Sequence, residues 1–213
     1  MATTLNTTEH TLRGKFITLE GIDGAGKSTH ARSLVEMLAA VRGKNVLLTR
    51  EPGGTPLAEK LRNLLLHDPM HIETEALLMF AARREHLENL ILPALAAGTW
   101  VVSDRFTDAS FAYQGGGRGL STARLQVLEQ WVQQGFQPDK TFLFDLPVAI
   151  ARTRMGRDTK PDRFELEGAA FFERVRQAYL ARAENSGGRI QIIDASQPVA
   201  DIADVLQNYI LTL

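Results

Sequence analysis

The sequence predicts a three-layer α/β fold in which helices flank a five-stranded parallel β-sheet. Short, continuously apolar segments alternate with longer segments of helical periodicity, which is the pattern of a parallel sheet covered by helices on both faces. A length of 213 residues with 44% hydrophobic side chains suits one domain with a sizeable core. The chain contains no internal repeat, low-complexity block or linker that would divide it.

The predicted elements alternate along the whole chain. Strands are predicted at residues 15–20, 45–49, 100–103, 140–146 and 189–193, and helices at residues 27–41, 56–67, 73–97, 121–135, 168–185 and 198–211, with one more helix after Asp145. Residues 1–13 are polar and rich in threonine, so we expect a disordered tail ahead of a domain spanning residues 14–213. Ligands of such a sheet bind at the carboxyl ends of its strands.

Charge and composition narrow the possible partners and chemistry. The net charge is −1, so no basic field favours nucleic acid or a membrane surface as a partner. The absence of cysteine excludes disulfides, thiolate metal sites and a cysteine nucleophile. No apolar run approaches the ~18 residues of a membrane span, and the N-terminus lacks the apolar segment of a signal peptide. We therefore expect a cytoplasmic protein.

The first predicted strand leads directly into Gly-Ile-Asp-Gly-Ala-Gly-Lys-Ser at residues 21–28, and a helix follows. This G-x-x-x-x-G-K-S pattern is a P-loop, and it predicts a nucleoside triphosphate site. Glycines let backbone amides approach phosphate oxygens, and the helix N-terminus adds its dipole. Lys27 can reach the β- and γ-phosphates, and Ser28 can hold Mg²⁺. The predicted triphosphate-binding residues are Gly21, Ile22, Asp23, Gly24, Ala25, Gly26, Lys27, Ser28 and Thr29.

A P-loop alone distinguishes neither an enzyme from a nucleotide-dependent switch nor ATP from GTP. The guanine-reading pattern N/T-K-x-D occurs at residues 159–162, but polar and basic residues precede it instead of a strand, so we interpret the match as coincidence. The switch pattern D-x-x-G occurs only inside the P-loop, at residues 23–26. These observations favour a kinase, and a switch or nucleotide sensor is the alternative from another class.

Further motifs follow at predicted strand ends and on helices that face the same cleft. They are REPGGT at residues 50–55, FAAR at 80–83, DRF at 104–106 and SFAYQ at 110–114, with GGGRG directly after it. Each motif by itself is weak evidence for a functional site. Phe80 suits a hydrophobic core, Arg83 and Arg84 suit a solvated helix face, and Gln114 with the glycines suits a loop without function.

In this order after this P-loop, the motifs resemble those of thymidylate kinases of the bacterial form, from residue 15 to the last helix. The resemblance implies a P-loop kinase that uses Mg²⁺ to transfer the γ-phosphoryl of ATP to dTMP, giving dTDP for dTTP biosynthesis. It also implies a homodimer formed through the long helices. Another nucleotide or a deoxynucleoside is the alternative acceptor, although Arg105 and the Phe80/Arg83 pair favour a monophosphorylated pyrimidine.

The resemblance assigns roles to individual residues. Phe80 would stack on thymine, Arg83 would hydrogen-bond a thymine carbonyl, and Tyr113 would crowd the 2′ position against ribonucleotides. Arg105 would hold the dTMP phosphate, and Asp23 would take the sugar 3′-hydroxyl. The implied dTMP-binding residues are Asp23, Pro52, Phe80, Arg83, Arg105, Ser110, Tyr113 and Gln114, and the implied metal-binding residues are Ser28, Asp23 and Asp104.

Residues 152–163 hold five cations and two acids. The stretch is either an exposed basic loop or, as the resemblance implies, part of a lid over residues 152–165 that closes on the phosphates. The variable positions of the P-loop offer no cation, so we expect Arg154 and Arg157 to act beside Lys27 in catalysis. The spacing to the D-R-F-E motif at 162–165 is about two residues longer than in the family, which leaves the choice of arginine open.

Expectations also follow for the two ends of this segment and for the turn after the fifth strand. Arg152 is expected on the preceding helix, and Arg163 is expected to pair with an acid of its own motif. Residues 194–198 lie where related kinases wrap backbone around adenine, and a strand-to-helix turn capped by Ser196 explains this stretch nearly as well.

Overall fold

The computed structural model describes residues 13–43, 45–155 and 162–213, and these form one parallel sheet with flanking helices. The strands are β1 (Phe16–Glu20), β2 (Val46–Arg50), β3 (Trp100–Asp104), β4 (Lys140–Asp145) and β5 (Ile190–Asp194). Their order in the sheet is β2-β3-β1-β4-β5, and every neighbouring pair is parallel. The predicted five-stranded parallel sheet is thereby confirmed.

Nine α-helices lie in the described part of the chain. They are α1 (Lys27–Arg42), α2 (Pro56–His67), α3 (Ile72–His86), α4 (Leu92–Ala96), α5 (Thr107–Ser110), α6 (Thr122–Gln133), α7 (Val148–Arg154), α8 (Ala169–Glu184) and α9 (Val199–Thr212). None of them is long and apolar enough to cross a membrane.

Two segments differ from the sequence prediction. The helix expected at 73–97 is interrupted, because a π-helical turn at Leu87–Ile91 separates α3 from α4. Residues 107–117, for which no helix was predicted, form α5 and a second π-helical turn at Phe111–Gly117. Such turns are rare and are frequent at functional sites. Here each one adjoins a helix that carries predicted site residues.

Local sequence explains how the helices next to the sheet begin and end. The P-loop passes directly into α1, where Gly26 takes the left-handed conformation with φ 86°, and Gly43 ends the helix with φ 58°. Pro56 begins α2, and the hydroxyl of Thr55 accepts a hydrogen bond from the Ala58 amide at 3.3 Å. The REPGGT motif is therefore held between the end of β2 and a capped helix.

The core lies on both faces of the sheet. Ile17 and Leu19 of β1 belong to one buried cluster, whereas Phe16 belongs to another that also contains Phe80 and Phe106. Successive strand residues point to opposite faces, so this division is what a sheet buried on both sides requires. The rigid sheet fixes the carboxyl ends of β1, β2 and β3 next to one another, and the functional motifs follow these ends.

Candidate active site

Two cavities adjoin at the carboxyl ends of β1, β2 and β3. The larger has a volume of about 860 Å³ and is lined by the P-loop, and the smaller has a volume of about 170 Å³ and is lined by residues of α2, α3 and the 105–114 segment. Four residues line both cavities: Asp23, Glu51, Arg62 and Arg105. A ligand in each cavity would therefore meet its neighbour at this junction.

The P-loop forms the wall of the larger cavity. Gly24 adopts φ 81°, and a side chain there would meet the Ala151 carbonyl oxygen at 2.3 Å, so only glycine fits. Asp23 to Thr29 line the cavity as predicted, but Gly21 and Ile22 do not. Their carbonyl oxygens instead accept hydrogen bonds from the Lys27 ammonium, both at 2.9 Å. Burial and the charge of Arg105 lower the pKa of Lys27 to about 8.

Ser28 and Asp104 present oxygen atoms at the floor of this cavity. The Ser28 hydroxyl donates to Asp104 Oδ2 at 3.1 Å, while Asp104 Oδ1 is buried without a hydrogen-bond partner. Hydroxyl and carboxylate oxygens are the ligands that Mg²⁺ prefers, and Mg²⁺ usually keeps waters and phosphate oxygens as its remaining ligands. Within the described residues, no group of three or more histidine or acidic side chains is arranged to hold a metal ion.

Asp23, Arg105 and Tyr113 form a hydrogen-bonded group at the junction. Arg105 donates to Asp23 Oδ1 at 2.5 Å and to the Tyr113 hydroxyl at 3.0 Å, and that hydroxyl donates to Asp23 Oδ2 at 2.9 Å. Burial disfavours the charged carboxylate, but Arg105 and Lys27 outweigh it and lower the pKa of Asp23. Each carboxylate oxygen of Asp23 thus accepts one hydrogen bond and keeps acceptor capacity for a ligand, and its role as a metal ligand stays a prediction.

The backbone of Arg105 is held in an uncommon conformation. Its φ is 72°, in the left-handed region that a side-chain-bearing residue seldom adopts. The next amide, of Phe106, donates to Glu20 Oε1 at 2.7 Å, and the Tyr179 hydroxyl donates to Glu20 Oε2 at 2.8 Å. Burial, reinforced by the negative charge of Asp108, raises the pKa of Glu20 to about 8. A buried carboxyl group at the end of β1 therefore supports the turn that aims Arg105.

Arg83 forms the back of the smaller cavity. Its guanidinium donates to Glu51 Oε2 at 2.8 Å, to the Phe106 carbonyl at 3.1 Å and to the Ser110 hydroxyl at 3.0 Å. The third nitrogen, Nη1, is buried without a partner, so it offers a donor to a ligand. Pro52, which follows a cis peptide bond, lines the same cavity, as do Ser110, Tyr113 and Gln114.

Phe80 does not lie where the sequence interpretation put it. Its ring is 1% exposed in the core, underneath the Arg83 guanidinium at 4.6 Å, and it does not line the cavity. Met79 lines the cavity instead. At about 100° per residue, Met79 lies about 40° to one side of Arg83 and Phe80 about 60° to the other side. The two side chains therefore point about 100° apart, and Met79 faces the cavity while Phe80 faces the core. No signal in the sequence favours Met79 over Phe80, because residues three and four positions before Arg83 are both its neighbours on the helix surface.

Arg62 was missed by the sequence analysis. It lies on α2, lines both cavities and donates to the Pro52 carbonyl oxygen at 2.9 Å. Burial and the nearby charge of Arg50 lower the pKa of Arg62. Nothing in the sequence distinguishes it from other helix-surface arginines. Only the turn of REPGGT brings α2 back over the junction.

The basic segment is described in part. Arg154 ends α7, lines the larger cavity and donates to the Ala195 carbonyl oxygen at 2.8 Å. Arg157 lies outside the described residues, as does the 159–162 pattern apart from Asp162. Arg152 lies on α7 as expected, but Arg163 pairs with Glu75 of α3 and not with an acid of its own motif.

Residues 195–198 line the larger cavity beside Arg154. The alternative explanation, a helix cap by Ser196, is wrong: α9 begins after Pro198 without a side-chain cap, and the Ser196 hydroxyl donates to Asp194 at 2.5 Å. The turn after β5 therefore forms part of the cavity wall, where it can contact a nucleotide base.

Comparisons with known proteins agree on one family. The family model described as thymidylate kinase matches residues 19–205. The chain is 60% identical to a thymidylate kinase of Cupriavidus metallidurans over 95% of this chain and 100% of the relative, and 59% identical to one of Bordetella pertussis over 95% and 97%. A crystal structure of thymidylate kinase from Ehrlichia chaffeensis superimposes with a TM-score of 0.77 at 33% identity, covering 94% of this chain and 99% of that one.

Proposed function

The chain belongs to the thymidylate kinase family, and from that premise we propose how its residues transfer the γ-phosphoryl of ATP to dTMP, giving dTDP for dTTP biosynthesis. ATP occupies the larger cavity and dTMP the smaller. The main support for this assignment is the junction of the two cavities. The cavities share Asp23, Arg62 and Arg105 at the place where the two phosphates must meet.

On the ATP side, the amides of residues 23–29 surround the phosphates, and Lys27 leaves the carbonyls of Gly21 and Ile22 to contact them. Ser28 and Asp104 would hold Mg²⁺, which when bound neutralises charge on the phosphate oxygens. The turn at residues 195–198 borders the adenine end.

On the dTMP side, Arg105 holds the phosphate, Tyr113 closes the sugar side against a 2′-hydroxyl, and Asp23 meets the 3′-hydroxyl. Arg83 donates its free Nη1 to a thymine carbonyl, and Ser110 fixes the same guanidinium. Gln114 reads the base edge and Pro52 borders the base. Met79 replaces Phe80 as the apolar surface under the base, since a thioether packs well on a ring.

Transfer needs no protein nucleophile. A phosphate oxygen of dTMP attacks the γ-phosphorus in line, the bond to the β–γ bridging oxygen breaks, and ADP leaves. Lys27 contacts the transferred group from the larger cavity and Arg62 contacts it from the junction of the two cavities. Arg154, with Arg157 beyond the described residues, supplies charge from the lid segment 152–165.

We further propose a cytoplasmic homodimer formed through α2, α3 and α6. Five large apolar side chains on these helices are 43–73% exposed: Leu57, Leu64, Leu77, Val127 and Trp131. Helices α2 and α3 pack together, and α6 packs on α3, so the residues belong to neighbouring elements. Apolar groups collected in this way mark an interface more often than an ordinary surface. Sedimentation analysis of the wild type and of Trp131→Glu would test the assignment.

The function is tested by a coupled ADP-release assay with ATP, Mg²⁺ and each nucleoside monophosphate in turn. We expect dTMP to be the preferred acceptor and ATP turnover without acceptor to be negligible. Lys27→Met is the control for contaminating kinases, because it removes the ammonium and leaves the helix intact. Preference for another acceptor would redirect the substrate assignment. ATP binding without turnover on any acceptor would favour the switch or sensor alternative.

A further inference from the structure

Glu75 is a buried carboxylate in α3 that the reaction itself does not require. It lies four residues before Met79 and eight before Arg83, so all three share one stripe of the helix. Its side chain is 0% exposed. Burying an acidic group is costly unless hydrogen bonds or opposite charges compensate, so the partners of Glu75 indicate what it does.

Glu75 contacts two separate walls of the dTMP cavity. Its Oε1 accepts hydrogen bonds from Gln114 Nε2 at 2.8 Å and from Arg118 Nε at 3.2 Å. Its Oε2 forms an ion pair with Arg163 Nη2 at 2.7 Å, although the two atoms do not have the geometry of a hydrogen bond. Gln114 belongs to the π-helical turn on one side, whereas Arg163 lies within the 162–165 turn, whose other three residues line the cavity. Arg163 also donates to the Leu65 carbonyl oxygen at 2.9 Å.

We propose that Glu75 is a positioning residue for dTMP: one carboxylate holds the Gln114 wall and the 162–165 wall at a fixed separation. The inference rests on the proposed function and extends it to base selection. A carboxylate beside two arginines accepts hydrogen bonds and donates none, so Gln114 must direct its NH₂ group towards Glu75. Its carbonyl oxygen then faces the base and complements the N3–H of thymine, whereas N3 of cytosine carries no proton.

Glu75→Gln tests the two-sided role, because a neutral amide of the same shape has only one acceptor oxygen. That oxygen can serve Gln114 and Arg118, or it can serve Arg163, but it cannot serve both sides. We expect the KM for dTMP to rise about tenfold, the loss expected of one cavity-wall anchor. The KM for ATP and kcat should stay within about threefold of wild type, since the P-loop is untouched.

Glu73→Gln is the matched control. It lies on the same helix, but its ion pair with Arg124 is exposed on both sides and contributes far less. The KM for dTMP should be unchanged in this variant. A wild-type KM for dTMP in Glu75→Gln would overturn the inference. A parallel rise in the KM for ATP would overturn it equally, because it would mean general loosening of the domain.

Arg163→Met completes a double-mutant cycle. Alone, it removes one partner from the buried carboxylate, and the KM for dTMP should rise. With Arg163 gone, the amide introduced by Glu75→Gln can give its oxygen to Gln114, so the double variant should be no worse than Arg163→Met. Additive effects would contradict a shared anchor. Wild-type activity on dTMP is measured first, so failure of the substrate assignment is distinguishable from failure of the Glu75 assignment.

Discussion

The ammonium of Lys27 gives a direct test of the triphosphate site, because its pKa lies close to neutrality. Burial and the positive charge of Arg105 lower that pKa to about 8, although Asp23, Asp104 and Glu20 oppose the shift. Below this pH the group is charged and attracts phosphate oxygens; above it the attraction is lost. We therefore predict that affinity for ATP falls as the pH rises through 8.

The size of the effect follows from proton linkage. Bound phosphates favour the charged ammonium, so ATP raises the pKa of Lys27, and binding above pH 8 takes up a proton. With a pKa of about 8, Lys27 is about nine-tenths charged at pH 7 and about one-tenth charged at pH 9. The Kd for ATP should be about tenfold higher at pH 9 than at pH 7, or about 1.4 kcal/mol.

Calorimetric titration with a non-hydrolysable ATP analogue at pH 7, 8 and 9 measures the Kd, and buffers of different ionisation enthalpy report the proton taken up. Lys27→Arg is the control, because a guanidinium stays charged throughout this range. Any pH dependence of the Kd that remains in Lys27→Arg comes from titration of the nucleotide or of Glu20, whose pKa is also about 8. A constant wild-type Kd, or equal slopes in both proteins, would refute the reasoning.

Three further predictions concern the junction and its support. Tyr113→Phe should lower kcat/KM for dTMP about 10- to 100-fold in steady-state kinetics, because it removes hydrogen bonds to Asp23 and Arg105. The preference for deoxyribonucleotides over ribonucleotides should persist in Tyr113→Phe and should weaken in Tyr113→Ala. Arg154→Ala should lower kcat by about 10³-fold with little change in the KM for dTMP; a change of only a few-fold would mean a solvated arginine. Between about pH 4.5 and 8, Glu20 binds more protons in the folded than in the unfolded state, so the stability of the wild type should fall as the pH rises through that range. The change in Tm with pH should be smaller in Glu20→Gln, and parallel Tm curves for the two proteins would contradict this.

Most of the fold could be predicted because apolar runs and helical periodicity agree with it in nearly every segment. One of the two exceptions, at 107–117, is explained by tertiary packing. Its glycines disfavour helix locally, yet helix α8 approaches so closely that a side chain at Gly116 would lie 2.5 Å from the Ala178 β-carbon. A side chain at Gly117 would lie equally close to the Phe171 ring. These glycines permit tertiary packing, and packing stabilises the helical turn that local propensity opposes.

The sequence predicts cavity-lining residues where a motif implies a particular chemistry, but not where packing alone decides. The P-loop and the DRF motif point to Lys27, Ser28 and Arg105, and all three line the larger cavity. No local pattern separates Met79 from Phe80, because both are apolar and adjacent. Glu75 looks like an ordinary helix-surface acid in the sequence, and its role emerges only when the π-helical turn and the 162–165 turn converge on it.

The two halves of the site differ in how firmly their side chains are held. Arg83 is 2% exposed and fixed by Glu51, which also contacts His86, a residue bound in turn to Thr49. In the proposed function, the group that recognises the base is therefore held in place before substrate arrives, which lowers the entropy lost on binding. The cations proposed to contact phosphates have exchangeable partners: Lys27 donates to main-chain carbonyls, and Arg105 donates to a half-buried carboxylate and a hydroxyl. Incoming phosphates can replace those partners with stronger, charge-assisted bonds. Rigid selection of the base and replaceable partners at the phosphates are together what a kinase for one nucleotide requires.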